Sequence, residues 1–171
     1  GGGEVKLLEE TAAFGVFATE GIKNPTKAII KIENNKGETI EVYRNEPKKI
    51  LEPQIARLVS DILSSDEARA PIFGYKSYLY IEGIPVAAKT GTTQEYRDGW
   101  TVGYTPSLVA GVWTGNNDNT PIKKEPGAVI AAPIWNEFIK KSYAKKQELR
   151  NTTKPDNYFD LPQEPETFVK P

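Results

Sequence analysis

An α+β fold, an antiparallel sheet flanked by helices, is what this 171-residue sequence predicts. Three observations point there. Apolar residues recur at helical spacing near the start of the chain and again around 131–145. Short alternating runs between 27 and 44 are separated by turn residues. Three apolar, strand-like runs then lie close together between Val86 and Thr114, with helical segments on either side.

Taken in order, residues 4–20 read as a helix. Val5, Leu8, Ala12 and Val16 recur on one face, and Leu7, Phe14 and Phe17 widen it. Gly21 and Asn24-Pro25 stop it. Residues 27–44 read as a half-exposed hairpin: Ile30 and Ile32, a turn at Asn34-Asn35-Lys36-Gly37, then Ile40 and Val42. Glu52-Pro53 opens a second helix, proline being suited to a first turn, with Ile55, Leu58, Val59, Ile62 and Leu63 as its buried face. Ser64 to Pro71 reads as a polar loop, and Phe73 to Ile81 as a mixed stretch leading to Glu82-Gly83. Strands are expected over 86–93, 100–104 and 108–114, the last two joined by Thr105-Pro106-Ser107. A helix is expected over 131–145, with Pro133 in its first turn and Ile134, Trp135, Phe138 and Ile139 as its apolar face. The folded body therefore runs over 1–145. Residues 146–171 form a polar, proline-containing tail with too little apolar surface to order itself.

Composition narrows the chemistry. The chain has no cysteine and no histidine. That excludes disulfides, thiolate nucleophiles, Ser-His and Cys-His catalysis and most zinc sites, leaving only an all-carboxylate site for a metal. No cofactor is expected. Covalent chemistry, if present, falls to a hydroxyl nucleophile assisted by lysine. A net charge of −1 gives no electrostatic case for nucleic acid. No apolar run approaches the ~20 residues that span a bilayer. The absence of methionine and the Gly1-Gly2-Gly3 start are expected of a processed or excised piece, so missing targeting signals carry no information.

The candidate site is Lys89-Thr90-Gly91-Thr92, extended by Thr93. On a strand, Lys89 and Gly91 point one way, Thr90 and Thr92 the other. Gly91 has no side chain, so a second backbone can approach and add to the strand's edge. The ammonium of Lys89 attracts a carboxylate, the threonine hydroxyls donate to it, and a free N–H at Thr92 can stabilise an oxyanion. The plain competitor is an exposed strand end with a solvated lysine and a glycine bulge. Asp98 and Trp100 either shape the cleft or serve as a turn aspartate and a core tryptophan.

K-T-G belongs to the motif set of penicillin-binding proteins and class A β-lactamases. Here the likeness is wider. GIPVAAKTGTTQEYRDGWTVGYTPSLVAGVWTGNNDNTP resembles the third and fourth strands of the transpeptidase domain of class A penicillin-binding proteins. GGGEVKLLEETAAFGVFATEG is similar to the helix before them, and AAPIWNEFIKKSY to the C-terminal helix. The resemblance implies part of a β-lactamase/transpeptidase-like domain, and in the parent a D,D-transpeptidase that cross-links peptidoglycan through an acyl-serine. It implies that Lys89 assists catalysis and that the Thr92 N–H is half the oxyanion hole. Thr90, Gly91, Thr92 and Thr93 would bind substrate. Implied partners are a stem peptide ending in D-Ala-D-Ala, β-lactam antibiotics and the remainder of the same domain. The implied place is the outer face of a bacterial membrane, with a glycosyltransferase domain and an anchor upstream.

The sequence departs from that pattern. No S-x-x-K precedes Lys89; the one present, Ser142-Tyr143-Ala144-Lys145, follows it and reads as a solvated helix end. Ser64-Ser65-Asp66 reads as helix-end polarity, and Ala88 stands where the family often has glycine. The piece is therefore expected to lack the nucleophile and to be inactive alone. Alternatives are a D,D-carboxypeptidase or serine β-lactamase relative, and a non-catalytic wall-binding or scaffold module.

Overall fold

The computed structural model describes residues 3–122, 125–151 and 167–171. Its centre is a three-stranded antiparallel sheet in the order β5 (Ala87–Thr92), β6 (Asp98–Tyr104), β7 (Val109–Gly115). The turn before β7 closes through Thr105, whose N–H donates to the Leu108 carbonyl at 2.8 Å and whose hydroxyl accepts from the N–H groups of Ser107 and Leu108.

Helices cover both faces. On one lies α1 (Leu7–Ala18), crossing β7 through Leu7, Thr11 and Gly15, a row spaced i, i+4, i+8. The contact is intimate: a Cβ on Gly111 would fall 2.1 Å from the Thr11 Oγ1. The sequence expectation placed the buried row at Val5, Leu8, Ala12 and Val16. Val16 is buried, but Val5 and Leu8 are exposed. The reason is steric, since Thr11 and Gly15 let the helix axis approach β7 more closely than leucine or valine at those two positions would.

The opposite face carries α4 (Gly127–Ile130) and α5 (Ala132–Asn151). Trp135, fully buried, donates from its indole to the Ala110 carbonyl at 3.0 Å and fills the space left by Gly103. With Leu79, Ile81, Val86, Ala88, Ala132, Ile139 and Tyr143 it forms the core. Of the four residues expected on the buried face, Trp135 and Ile139 are buried, whereas Ile134 and Phe138 are exposed and Asn136 and Tyr143 take their place. Asn136 reaches the carbonyls of Tyr78 and Tyr80, satisfying irregular backbone that would otherwise be costly to bury. Residues 146–151, expected as the start of the tail, continue α5. Most of the expected tail, 152–166, lies outside the described residues.

Between α1 and the sheet the chain makes an excursion. Gly21 (φ +97°) ends α1, and its carbonyl accepts from the N–H groups of Ile50 and Leu51. A two-stranded base, β1 (Ile22–Lys23) with β4 (Lys48–Lys49), carries the hairpin β2 (Lys31–Glu33) and β3 (Thr39–Val42). The Asn34 side chain accepts from the N–H groups of Lys36 and Glu38, setting the expected turn. Both hairpin strands are exposed throughout, more than the half expected.

Helix α2 (Pro53–Ser64) begins at the expected proline. Its buried residues are Ala56 and Ser60, whereas Ile55, Leu58 and Ile62 are exposed, contrary to the expected apolar face. Small residues again hold the close contact, here against β5 and the Tyr104 hydroxyl. The expected loop from Ser64 is a helix, α3 (Asp66–Phe73), whose N-cap Ser65 accepts from the Ala68 N–H at 3.1 Å. That cap and the acidic first turn outweigh the single bond lost at Pro71.

Candidate functional site

Strand β5 is an edge strand among the described residues. Its pairing fixes which backbone groups are free. The Thr93 N–H donates to the Asp98 carbonyl at 3.1 Å. Hydrogen-bonded and non-hydrogen-bonded pairs alternate in an antiparallel ladder. Gly91 opposite Trp100 and Lys89 opposite Val102 are therefore bonded pairs. Thr92 opposite Gly99 and Thr90 opposite Thr101 are not, so the N–H and C=O groups of Thr90 and Thr92 point away from β6. The turn before β7 gives the same answer from the other side, since Thr105 pairs with Leu108 and places Thr101 and Gly99 toward β7.

Side chains follow the two faces. Lys89 and Gly91 share a face with Trp100, Val102 and Trp113, and open into a cavity of about 990 Å³. The far wall is the first two turns of α1 and the residues before it, including Glu4, Glu10 and Phe14. The Lys89 ammonium donates to the Thr90 carbonyl at 2.5 Å, so it lies folded over the open edge. Thr90 and Thr92 face α4. The Thr92 hydroxyl accepts from the Gly127 N–H at 2.9 Å and keeps its own proton to donate. Gly127 must be small: a Cβ there would meet the Gly91 carbonyl at 2.2 Å. Thr101, opposite Thr90, is fully buried, and its hydroxyl has no partner among the described residues.

The end of the strand is held by a clasp. The Thr93 hydroxyl donates to the Asp98 carboxylate at 3.1 Å and accepts from the Asp98 N–H at 2.8 Å. The other Asp98 oxygen accepts from the Trp113 indole at 2.9 Å. Between them runs a tight 3-10 turn, Gln94–Tyr96, in which Glu95 (φ 60°) and Tyr96 (φ 55°) are both left-handed. That conformation is uncommon for non-glycine residues and persists where surroundings enforce it. Arg97 adds a bond to the Asn119 carbonyl and pairs with Glu95 at 2.5 Å.

The structure thus brings Lys89, Thr90, Gly91, Thr92 and Thr93 to one cavity rim, with the hydroxyl of Thr93 engaged by Asp98. Asp98 and Trp100 both line that cavity, and Asp98 is also the turn residue. Ser142 and Lys145 are on α5 and do not line it; Lys145 pairs with Glu148. Two parts of the site were missed from sequence: the α1 wall, a long-range contact with no local signal, and the Thr93–Asp98 clasp. Counting the hairpin register back from Gly91 opposite Trp100 reveals the clasp. Among the described residues no group of three metal-ligating side chains forms, and no helix is long and apolar enough to cross a membrane.

Comparison with known proteins agrees across sequence and fold. Residues 2–140 match the model of the penicillin-binding protein transpeptidase domain. Penicillin-binding protein 1A of Aquifex aeolicus is 33% identical over 168 residues, 97% of this chain and 21% of the relative. Penicillin-binding protein 1A of Clostridium acetobutylicum is 32% identical over 141 residues, 81% of this chain and 17% of the relative. The chain thus spans about a fifth of the length of such relatives. Two solved structures share the fold. Penicillin-binding protein 1A from Haemophilus influenzae has a TM-score of 0.68 at 20% identity, covering 92% of this chain and 28% of its own. PonA1 from Mycobacterium tuberculosis, in complex with penicillin V, has a TM-score of 0.66 at 21% identity, covering 97% and 44%. The chain belongs to the penicillin-binding protein transpeptidase domain family.

Proposed function

We propose that this chain supplies the carboxylate-binding edge of a peptidoglycan D,D-transpeptidase, as the C-terminal part of that domain in a class A penicillin-binding protein. The observation that carries the reading is the outward-facing backbone of Thr90 and Thr92 beside the Lys89 ammonium, on the rim of an open cavity. A stem peptide ending in D-Ala-D-Ala would lie antiparallel to β5 and bond to that backbone. Its carboxylate would meet the hydroxyls of Thr90 and Thr92 and the positive charge of Lys89, while Gly91 leaves room for the incoming chain. The Thr92 N–H would face the oxygen of the scissile carbonyl as negative charge develops there.

The nucleophile would be a serine outside this sequence. Its oxygen bonds to the penultimate D-Ala carbonyl carbon, the peptide C–N bond breaks, and the terminal D-Ala leaves as an amine carrying the proton. An amine of a second stem then displaces the serine. A β-lactam would enter the same edge and acylate the same serine, and the penicillin V held by PonA1 supports that choice of probe. The reaction belongs on the outer face of the bacterial membrane, with an anchor elsewhere in the parent.

The test is acylation by a fluorescent penicillin. In the full-length parent, Lys89→Ala should slow labelling ~100- to 1,000-fold, the scale of losing a positioned electrostatic group. The 171-residue chain alone should not label. Unchanged kinetics in the variant, or a labelled Ser142 in the isolated chain, would sink the reading.

A further inference from the structure

We propose that Thr167–Pro171 is a docked anchor, a segment that clamps α2 to the start of β5 through Phe168 and Lys170. The Phe168 ring meets Tyr104 edge-on, 5.6 Å between centroids at 80°. Tyr104 already gathers Phe14 and Phe17 of α1, each 6.4 Å away, so Phe168 completes a four-ring cluster. The Tyr104 hydroxyl bonds to Ser60 of α2 at 2.8 Å. One residue further along α2, Asp61 takes the Lys170 ammonium at 2.6 Å. Val169, between them, is 52% exposed.

A pocket between the segment, α2 and the residues leading into β5 marks where they meet. Asp61, Ser64, Arg69, Tyr80, Ile84 and Val86 line it on one side and Thr167 to Lys170 on the other. Arg69 is nearly buried there and donates to the Leu63 carbonyl at 2.6 Å, bracing the end of α2. Tyr104 is also the register partner of Ala87, the first residue of β5. The anchor therefore grips α2 and β5 through one ring. The recognition pattern is an aromatic followed two residues later by a cation. The exposed ion pair adds little, and the aromatic contact does most of the holding.

The chain has no cysteine, so Val169→Cys gives a unique attachment point for a spin label on a solvent-facing residue. Paramagnetic broadening of backbone amides should concentrate on Asp61–Ser64 and Ile84–Val86, and adding Phe168→Ala should abolish that concentration. In the unlabelled chain, Phe168→Ala should speed amide exchange in α2 about 10-fold, with β6 and β7 unchanged. Lys170→Glu leaves the ring in place and should raise the same rates about 2-fold. Broadening spread evenly along the chain, or exchange that is unchanged or rises equally in every element, would overturn the anchor. Neither readout involves penicillin or peptide, so the result stands apart from the proposed function.

Discussion

Ala87 and Ala88 are at most 1% exposed, whereas Lys89 to Thr92, in the same six-residue strand, open onto the cavity. α2 covers the edge of the first pair, the core under α5 takes Ala88 on one face, and Ala87 lies opposite Tyr104 on the other. The second part is backed by α4, and its outer edge bonds to no strand among the described residues. One strand thus does two jobs, and the border between them falls between Ala88 and Lys89. Where packing stops, backbone that pairs with no outer strand among the described residues begins, the kind of edge to which a further strand can add. Alanine at 88 in place of glycine costs nothing visible because its methyl is part of the core.

The sharpest way to break this contrast is to alter each end separately. Lys89→Ala should remove most acylation in the parent, as above, while leaving the melting temperature within about 2 °C, the range of a surface substitution. Ala88→Leu should do the reverse. Its side chain has no room beside Gly103 and Trp135, so unfolding should become easier by about 1–3 kcal/mol in a denaturant melt. If Lys89→Ala also unfolds the domain, or Ala88→Leu is silent, the two halves are not distinct in the way described.

A smaller effect is expected from pH. Burial pushes the Tyr104 phenol above its ordinary value near 10, and the bond to Ser60 opposes this only in part. A group whose pKa is higher folded than unfolded contributes stability that is complete below the unfolded value and lost as pH rises through the folded one. The chain should therefore lose stability as pH rises above about 10, and Tyr104→Phe should lose less as it does. Equal losses in denaturant midpoints would show that Tyr104 is not sealed at the buried end. The smallest effect belongs to Thr101, whose hydroxyl is buried without a partner among the described residues. Thr101→Val should be neutral or stabilise by about 1 kcal/mol; a clear loss would mean that the hydroxyl is engaged.

Much of this architecture was legible in the sequence. Gly21, the Asn34–Gly37 turn, Pro53 and the three sheet strands stand where spacing and turn chemistry placed them. Lys89 to Thr92 was legible as a candidate site, on an open strand edge, because two-residue alternation and a bare glycine are local facts. What failed was the rule that the apolar side of a helix is the buried side. Thr11, Gly15, Ala56 and Ser60 make the close contacts, while Ile55, Ile62, Ile134 and Phe138 face outward. A hydropathy stripe reports that a surface wants covering and does not say which neighbour covers it. Small residues report proximity instead, and that signal is silent until the partner is known. The cavity's α1 wall was illegible for the same reason, since about eighty residues of chain separate it from Lys89.

The paired base of β1 and β4 closes the excursion that carries the β2–β3 hairpin, so whatever happens at the tip is held at arm's length from the sheet. None of the residues from Asn24 to Glu46 borders the cavity. The bend at Lys36-Gly37 is accordingly a natural port for engineering. An epitope or fluorophore grafted there would tag the protein without touching the cavity or the strand that borders it.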